Sequence, residues 1–115
     1  MPYPVNDVIL QAENYTGTKS EFLGRFQLQD EMVQGRPTYK KPGMGELSGR
    51  HDCVSDQFLF YTTGGYWMVG PNTNKEDGFW LVESAAWTPD TITETWKVIA
   101  LGVWTDVPTA QILPI

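Results

Sequence analysis

Two aromatic runs, Phe58-Leu59-Phe60-Tyr61 and Tyr66-Trp67-Met68-Val69, flank Thr62-Thr63-Gly64-Gly65. Apolar runs of this length around a Gly-Gly pair read as a β-hairpin, because glycine supplies the positive φ that tight hairpin loops require. Neither arm alternates apolar with polar residues, so neither face of the hairpin can be left to water. The hairpin is therefore expected near the centre of the fold, covered on both sides. Everything else in the chain has to build that cover.

The flanking segments follow the same pattern of short runs and turn residues. Ile9 to Thr16 reads as a first strand with Ile9, Gln11, Glu13 and Tyr15 on one face; the competing reading has Asn6 capping a short helix that begins at Asp7. Phe22 to Leu28 places Phe22, Gly24, Phe26 and Leu28 on one side and Arg25 and Gln27 on the other. Asp30-Glu31 is expected to turn the chain into Met32-Val33, and Gly35-Arg36-Pro37 to break it before Thr38-Tyr39-Lys40. The glycine-rich stretch from Pro42 to Gly49 reads as loop. Phe79-Trp80-Leu81-Val82, Trp96-Lys97-Val98-Ile99 and Val103-Trp104 are the remaining strands. Trp80, Trp87, Trp96 and Trp104 recur at intervals of 7, 9 and 8 residues, the strand-plus-turn interval of a meander. The tail from Val107 to Ile115, with Pro108 and Pro114, is expected to run extended along the surface. No segment keeps a helical period over three turns. At 115 residues the chain is one domain, 1–115, with a core unit of about 9–106. The expected architecture is all-β: an antiparallel meander of about seven or eight strands forming a small sandwich or an incomplete barrel.

Leu23-Gly24-Arg25-Phe26, Gly35-Arg36-Pro37-Thr38-Tyr39, Phe58-Leu59-Phe60-Tyr61, Gly65-Tyr66-Trp67-Met68-Val69-Gly70 and a distal Trp96 together form a pattern over Ile9 to Asp106. It resembles an uncharacterised β-rich module that recurs in large multidomain proteins of unicellular eukaryotes, algae and some animals. That pattern reads approximately Asn-Gly-x-Tyr, Asn-Gly-Arg-Pro-x-Tyr, Tyr-Leu-Tyr-Tyr, Gly-x-Trp-x-Ile-Gly and a distal Trp. Leu23 and Gln34 stand where the pattern has asparagine, and the segment from Pro42 to Gln57 is long for it. The resemblance implies a small β fold and assigns no catalytic role or ligand. Read from the residues alone, Gly24 and Gly35 permit positive φ in tight turns. Pro37 donates no ladder bond and so points to a sheet edge. Tyr39, Tyr61 and Trp67 are large enough to cover core while their polar atoms reach the rim.

A net charge of −6 and a pI near 4.5 argue against a nucleic-acid backbone or an anionic membrane as partner. With one cysteine the chain has neither a disulfide framework nor a multi-cysteine zinc set. No apolar run is long enough for a signal peptide core or a membrane helix. If Met1 is the native start, the cytosol is the expected compartment. Asn14-Tyr15-Thr16 matches a glycosylation acceptor, which matters only in a secreted protein.

His51-Asp52-Cys53 is the one place where a nucleophile and a base lie together. A Cys–His enzyme also needs a third group to orient the imidazole, and loop residues beside a glycine-rich turn are the simpler reading. The acidic neighbours Asp52 and Asp56 are expected to keep the thiol protonated. The carboxylate pairs Asp30-Glu31, Glu76-Asp77 and Asp90 with Glu94 read as turn solvation rather than general acid–base chemistry. Asn72, Asn74, Glu76 and Asp77 lack the spacing of a calcium loop. No enzyme, metal or cofactor is expected.

Five tryptophans can supply core area or a ligand platform. Trp87, between Ala85-Ala86 and Thr88-Pro89, is the one whose exposure would call for a partner. The candidate ligand-binding residues are Trp87, Trp80, Trp104 and Tyr39. The expected function is a non-catalytic, monomeric interaction module that binds protein or peptide through an aromatic patch or through a sheet edge near Pro37 to Lys41. The alternative is a carbohydrate-binding module in which Trp87 stacks a sugar together with Trp80 or Trp104. Coplanar exposed rings would favour the sugar and a groove would favour the peptide.

Overall fold

The computed structural model describes residues 7–15, 17, 22–42 and 56–115. His51 and Cys53 lie outside these residues. Among them the fold is all-β, with nine antiparallel strands: β1 (Val8–Ala12), β2 (Gly24–Val33), β3 (Arg36–Lys41), β4 (Gln57–Tyr61), β5 (Tyr66–Gly70), β6 (Trp80–Glu83), β7 (Trp96–Ala100), β8 (Val103–Val107) and β9 (Ala110–Pro114). They form one sheet in the order β8-β7-β6-β5-β4-β3-β2-β1-β9. Eight inter-strand gaps would set the outer strands roughly 38 Å apart if the sheet were flat. Yet β8 ends at Val107 and β9 begins at Ala110, and three residues span at most about 11 Å. The sheet therefore curls until its ends approach, giving a nearly closed barrel.

The aromatic hairpin sits at the middle of the order as β4 and β5, paired from Phe58↔Gly70 to Tyr61↔Trp67. Its loop closes with Gly65 at φ +88° and Gly65 N–H donating to the Thr62 carbonyl. Period-two alternation sends Leu59, Tyr61, Trp67, Val69, Trp80, Val82, Trp96 and Val98 into one core, joined by Val8, Leu10 and Phe26. Met68 and its cross-strand neighbour Phe60 are buried on the opposite face. There the 71–78 segment folds over the sheet, with Gly78 so close that a Cβ would lie 2.7 Å from Met68 Cγ.

Several expectations are corrected. Asp30-Glu31 is no turn: β2 runs through it as one strand, and the pairing with β3 shifts between Leu28↔Tyr39 and Met32↔Pro37. The buried Thr38 hydroxyl donates to the Glu31 carbonyl in this irregular stretch (2.8 Å), which keeps the strand continuous. The tail is not a surface strap. It is β9, paired with β1 from Val8↔Pro114 to Ala12↔Ala110, with Ala110 and Ile112 in the core. β3 is not an edge either, being paired with β2 and β4. Pro37 is tolerated because the β4 ladder spans only Tyr39 to Lys41, so no partner on that side needs its missing N–H. The Pro37–Lys41 edge is thus withdrawn as a binding surface; the outermost strands are β8 and β9.

Candidate functional site

The site grows from the exit of β6. After Glu83 the chain leaves the ladder as Ser84-Ala85-Ala86, with Ser84 N–H donating to the Gly65 carbonyl (3.2 Å) and Ala86 N–H to Ser84 Oγ (3.2 Å). Arg36, the first residue of β3, reaches this segment from across the barrel wall. Its Nε donates to the Ala86 carbonyl and its Nη2 to the Ala85 carbonyl, both at 3.0 Å, and Trp67 Nε1 also donates to Ala86 (2.9 Å). The guanidinium plane is held between two rings, 3.7 Å from the Tyr61 centroid and 4.3 Å from the Trp87 centroid. Arg36 is aimed by the two-residue turn before it. Gln34 and Gly35 both hold positive φ, +53° and +74°, the pairing that a primed hairpin turn needs. Gly35 also packs beneath the Trp87 ring, whose Cζ3 would lie 3.8 Å from an added Cβ.

Trp87 is 52% exposed. Beyond it a single 3₁₀ turn, Pro89–Thr91, reverses the chain: the Thr91 N–H and hydroxyl both donate to the Thr88 carbonyl, and Pro89 is buried. The turn brings Thr91, Thr93 and Glu94 opposite Ser84 to Thr88, enclosing an open cleft of ≈ 540 Å³ with Trp87 in its wall. Arg36 takes no part in that wall, although its guanidinium lies against the Trp87 ring. Among the described residues Glu94 is the only charged side chain lining the cleft. The Ser84 hydroxyl and nearby backbone N–H groups hydrogen-bond its carboxylate and hold it below the usual range. It is ionised at neutral pH.

The other candidates fall elsewhere. Trp80 and Tyr39 are fully buried and offer no face to a ligand, so both are withdrawn from the site. Trp80 sits in the core edge-on to Tyr15. The Tyr39 hydroxyl has no hydrogen-bond partner among the described residues, and burial, with the charges of Asp90 and Asp7, pushes its pKa well up. Trp104, on β8, is 39% exposed, but it lines a separate cleft of ≈ 410 Å³ with Tyr66, Leu81 and Glu76. The two clefts share no residue, so Trp87 and Trp104 do not form one platform.

The acidic turns have structural partners. Glu76 accepts the Thr63 N–H (2.6 Å) and hydroxyl (2.8 Å), pinning the 71–78 segment to the hairpin loop. Asn72 Oδ1 accepts the Asn74 N–H. Asp56, the described neighbour of the His51–Cys53 segment, pairs with Lys40 at 3.2 Å. Among the described residues no group of three or more His, Cys, Asp or Glu converges to hold a metal, and no helix is long and apolar enough to cross a membrane. Sequence reasoning missed Arg36 as the support of Trp87 and missed Glu94 as a cleft wall. Local spacing carries no signal for either, since both depend on how β3 and the 3₁₀ turn meet the exit of β6. Comparison with family models, with curated proteins and with solved structures gave no match to this chain.

Proposed function

We propose that this domain is a non-catalytic interaction module that binds an extended peptide segment of a partner protein in the Trp87 cleft. The observation that carries this reading is the half-exposed indole, backed by a guanidinium and facing an open cleft rather than a flat surface. An exposed tryptophan ordered at the cost of an arginine's rotamer freedom is what a binding site needs, because the ring is already in place when the ligand arrives. Peptide recognition suits a groove walled by one aromatic ring, threonine hydroxyls and a carboxylate. The carbohydrate alternative is weaker, since its second ring is missing: Trp80 is in the core and Trp104 is in another cleft. The Gly-Arg-Pro-x-Tyr element supports the same reading, because its arginine and glycine carry Trp87.

The test is selection of a random peptide library against the folded domain, followed by binding of the selected peptides to Trp87→Ala and Trp104→Ala variants. Binding that is lost with Trp87→Ala and kept with Trp104→Ala supports the proposal. Peptides that bind the Trp87→Ala variant as well as the parent would refute it, as would a domain that captures only glycans from an array.

A further inference from the structure

We infer that the Trp87 cleft takes a basic side chain, a lysine or arginine of the bound segment, with its aliphatic stem along the indole and its charged head at Glu94. The inference rests on the peptide-binding reading and names the chemistry that reading leaves open. Charge is the first argument. Among the described residues Glu94 is the one ionisable group in the cleft wall and no lysine or arginine lines it, and the protein carries a net charge of −6. Arg36 lies against the Trp87 ring, but its Nε, Nη1 and Nη2 are directed at the carbonyls of Ala86, Gln34 and Ala85, and it does not line the cleft. No ion pair among the described residues takes Glu94.

Geometry is the second argument. The Ser84 hydroxyl and the Thr93 N–H hold the Glu94 carboxylate in place, and a carboxylate with spare acceptor positions is preorganised for an ammonium or guanidinium. The Thr88 and Thr91 hydroxyls are within hydrogen-bond distance of each other, and Thr91 also donates to a carbonyl, so both are engaged within the wall. The ring meets the stem rather than the charge. Arg36 already draws on the π-electrons of the indole, which disfavours a second cation over the ring but not the methylene chain of a lysine, whose head can extend past the ring edge.

The experiment follows the Trp87 indole N–H resonance during titration with acetyl-Pro-Ala-Lys-Ala-Pro-amide and with the same peptide carrying norleucine, which keeps the stem and removes the charge. The lysine peptide is expected to shift the Trp87 signal and to bind at least about tenfold more tightly than the norleucine peptide, as one charge-assisted hydrogen bond would give. Its advantage should shrink at about 0.3 M salt, where screening is strong. Glu94→Gln should reduce lysine binding to the norleucine level. Equal binding of the two peptides, or no effect of Glu94→Gln, overturns the basic-ligand inference and leaves the cleft as a peptide site. Failure of both peptides to move Trp87 at millimolar concentration also overturns it, whereas the peptide-binding reading stands or falls on the library selection. The norleucine comparison is made on the unmodified protein, so the inference stays testable even if the Glu94 variant folds poorly.

Discussion

Removing the Arg36 side chain is the perturbation that separates this account from a generic β-domain. In the folded protein the guanidinium makes two hydrogen bonds at 3.0 Å to the Ala85 and Ala86 carbonyls and one longer contact, 3.4 Å, to Gln34. It is also sandwiched between Tyr61 and Trp87. Hydrogen bonds from a charged donor contribute about 1.5–3 kcal/mol each, and partly exposed ones fall at the low end. Each ring adds about 0.5–1 kcal/mol. These terms overlap, and the rotamer entropy of a freed arginine, about 2 kcal/mol, opposes them. Ala86 also keeps the bond from Trp67 Nε1. The expected loss for Arg36→Ala is therefore about 2–3 kcal/mol. Arg36→Lys should recover less than half of it, since an ammonium can neither fork across two carbonyls nor stack flat between rings.

The assay is denaturant unfolding followed by far-UV circular dichroism, with acrylamide quenching of tryptophan fluorescence in the native state. Loss of the guanidinium should lower the midpoint without changing the slope and should raise quenching, because Trp87 loses its backing. In the Trp87→Ala background the stability cost of Arg36→Ala should fall by the stacking share, about 0.5–1 kcal/mol. A cost below about 0.5 kcal/mol for Arg36→Ala, or full rescue by lysine, would show that Arg36 neither fixes the 84–87 segment nor supports Trp87.

Tyr39→Phe should leave stability unchanged or raise it by up to about 1 kcal/mol in the same unfolding assay, because it removes a buried hydroxyl with no hydrogen-bond partner among the described residues and keeps the ring. Leu101→Asn should stabilise by about 0.5–1 kcal/mol: Leu101 is fully exposed at φ +52° in the turn joining β7 to β8, where asparagine is far better suited. Stability should fall as the pH drops below about 4. Asp7, held low by the Leu28 N–H and by Arg25, Glu76, held by the Thr63 N–H and hydroxyl, and Glu94, held by Ser84, all have depressed pKa values, so the stability they confer is present above the unfolded carboxylate range and lost as acid protonates them in the folded state. A thermal scan from pH 7 to pH 2 reads this directly, and a flat profile would contradict it.

What was legible in the sequence was whatever two adjacent segments decide between themselves. The β4–β5 hairpin and the β7–β8 pair could be read because strong apolar runs meet across short glycine turns. β9 could not. Its alternation of Ala110 and Ile112 is only five residues long and is framed by Pro108 and Pro114, and its partner β1 stands at the other end of the chain. The even spacing of the tryptophans misled for a related reason. Spacing sets how often a strand recurs, but side-chain direction depends on position within the strand. Trp80 and Trp96 fall on inward positions of β6 and β7, paired with Val98 and Val107, whereas Trp104 pairs with Ile99 and falls outward. Trp87 lies in no strand, and of the four only its exposure was foreseeable from its local surroundings.

The link between the fold and the proposed site is a single short element. Gln34-Gly35 must adopt a primed turn to join β2 to β3, and the same turn places Arg36 where it can reach the exit of β6 fifty residues later in the chain. Stability alone does not explain the choice of an arginine there. Its partners are carbonyls that water could satisfy, and they return no neutralising charge. What the arginine supplies and water cannot is a flat, fixed support for one face of Trp87. Under the proposed reading this support lowers the entropy that binding would otherwise spend on ordering the indole. The 3₁₀ turn then completes the cleft by folding Glu94 back to Ser84. If the cleft binds as proposed, substitutions at Glu94 or Thr93, which lie outside the strands, should alter what it takes without disturbing the turn and strand that place Arg36 against Trp87.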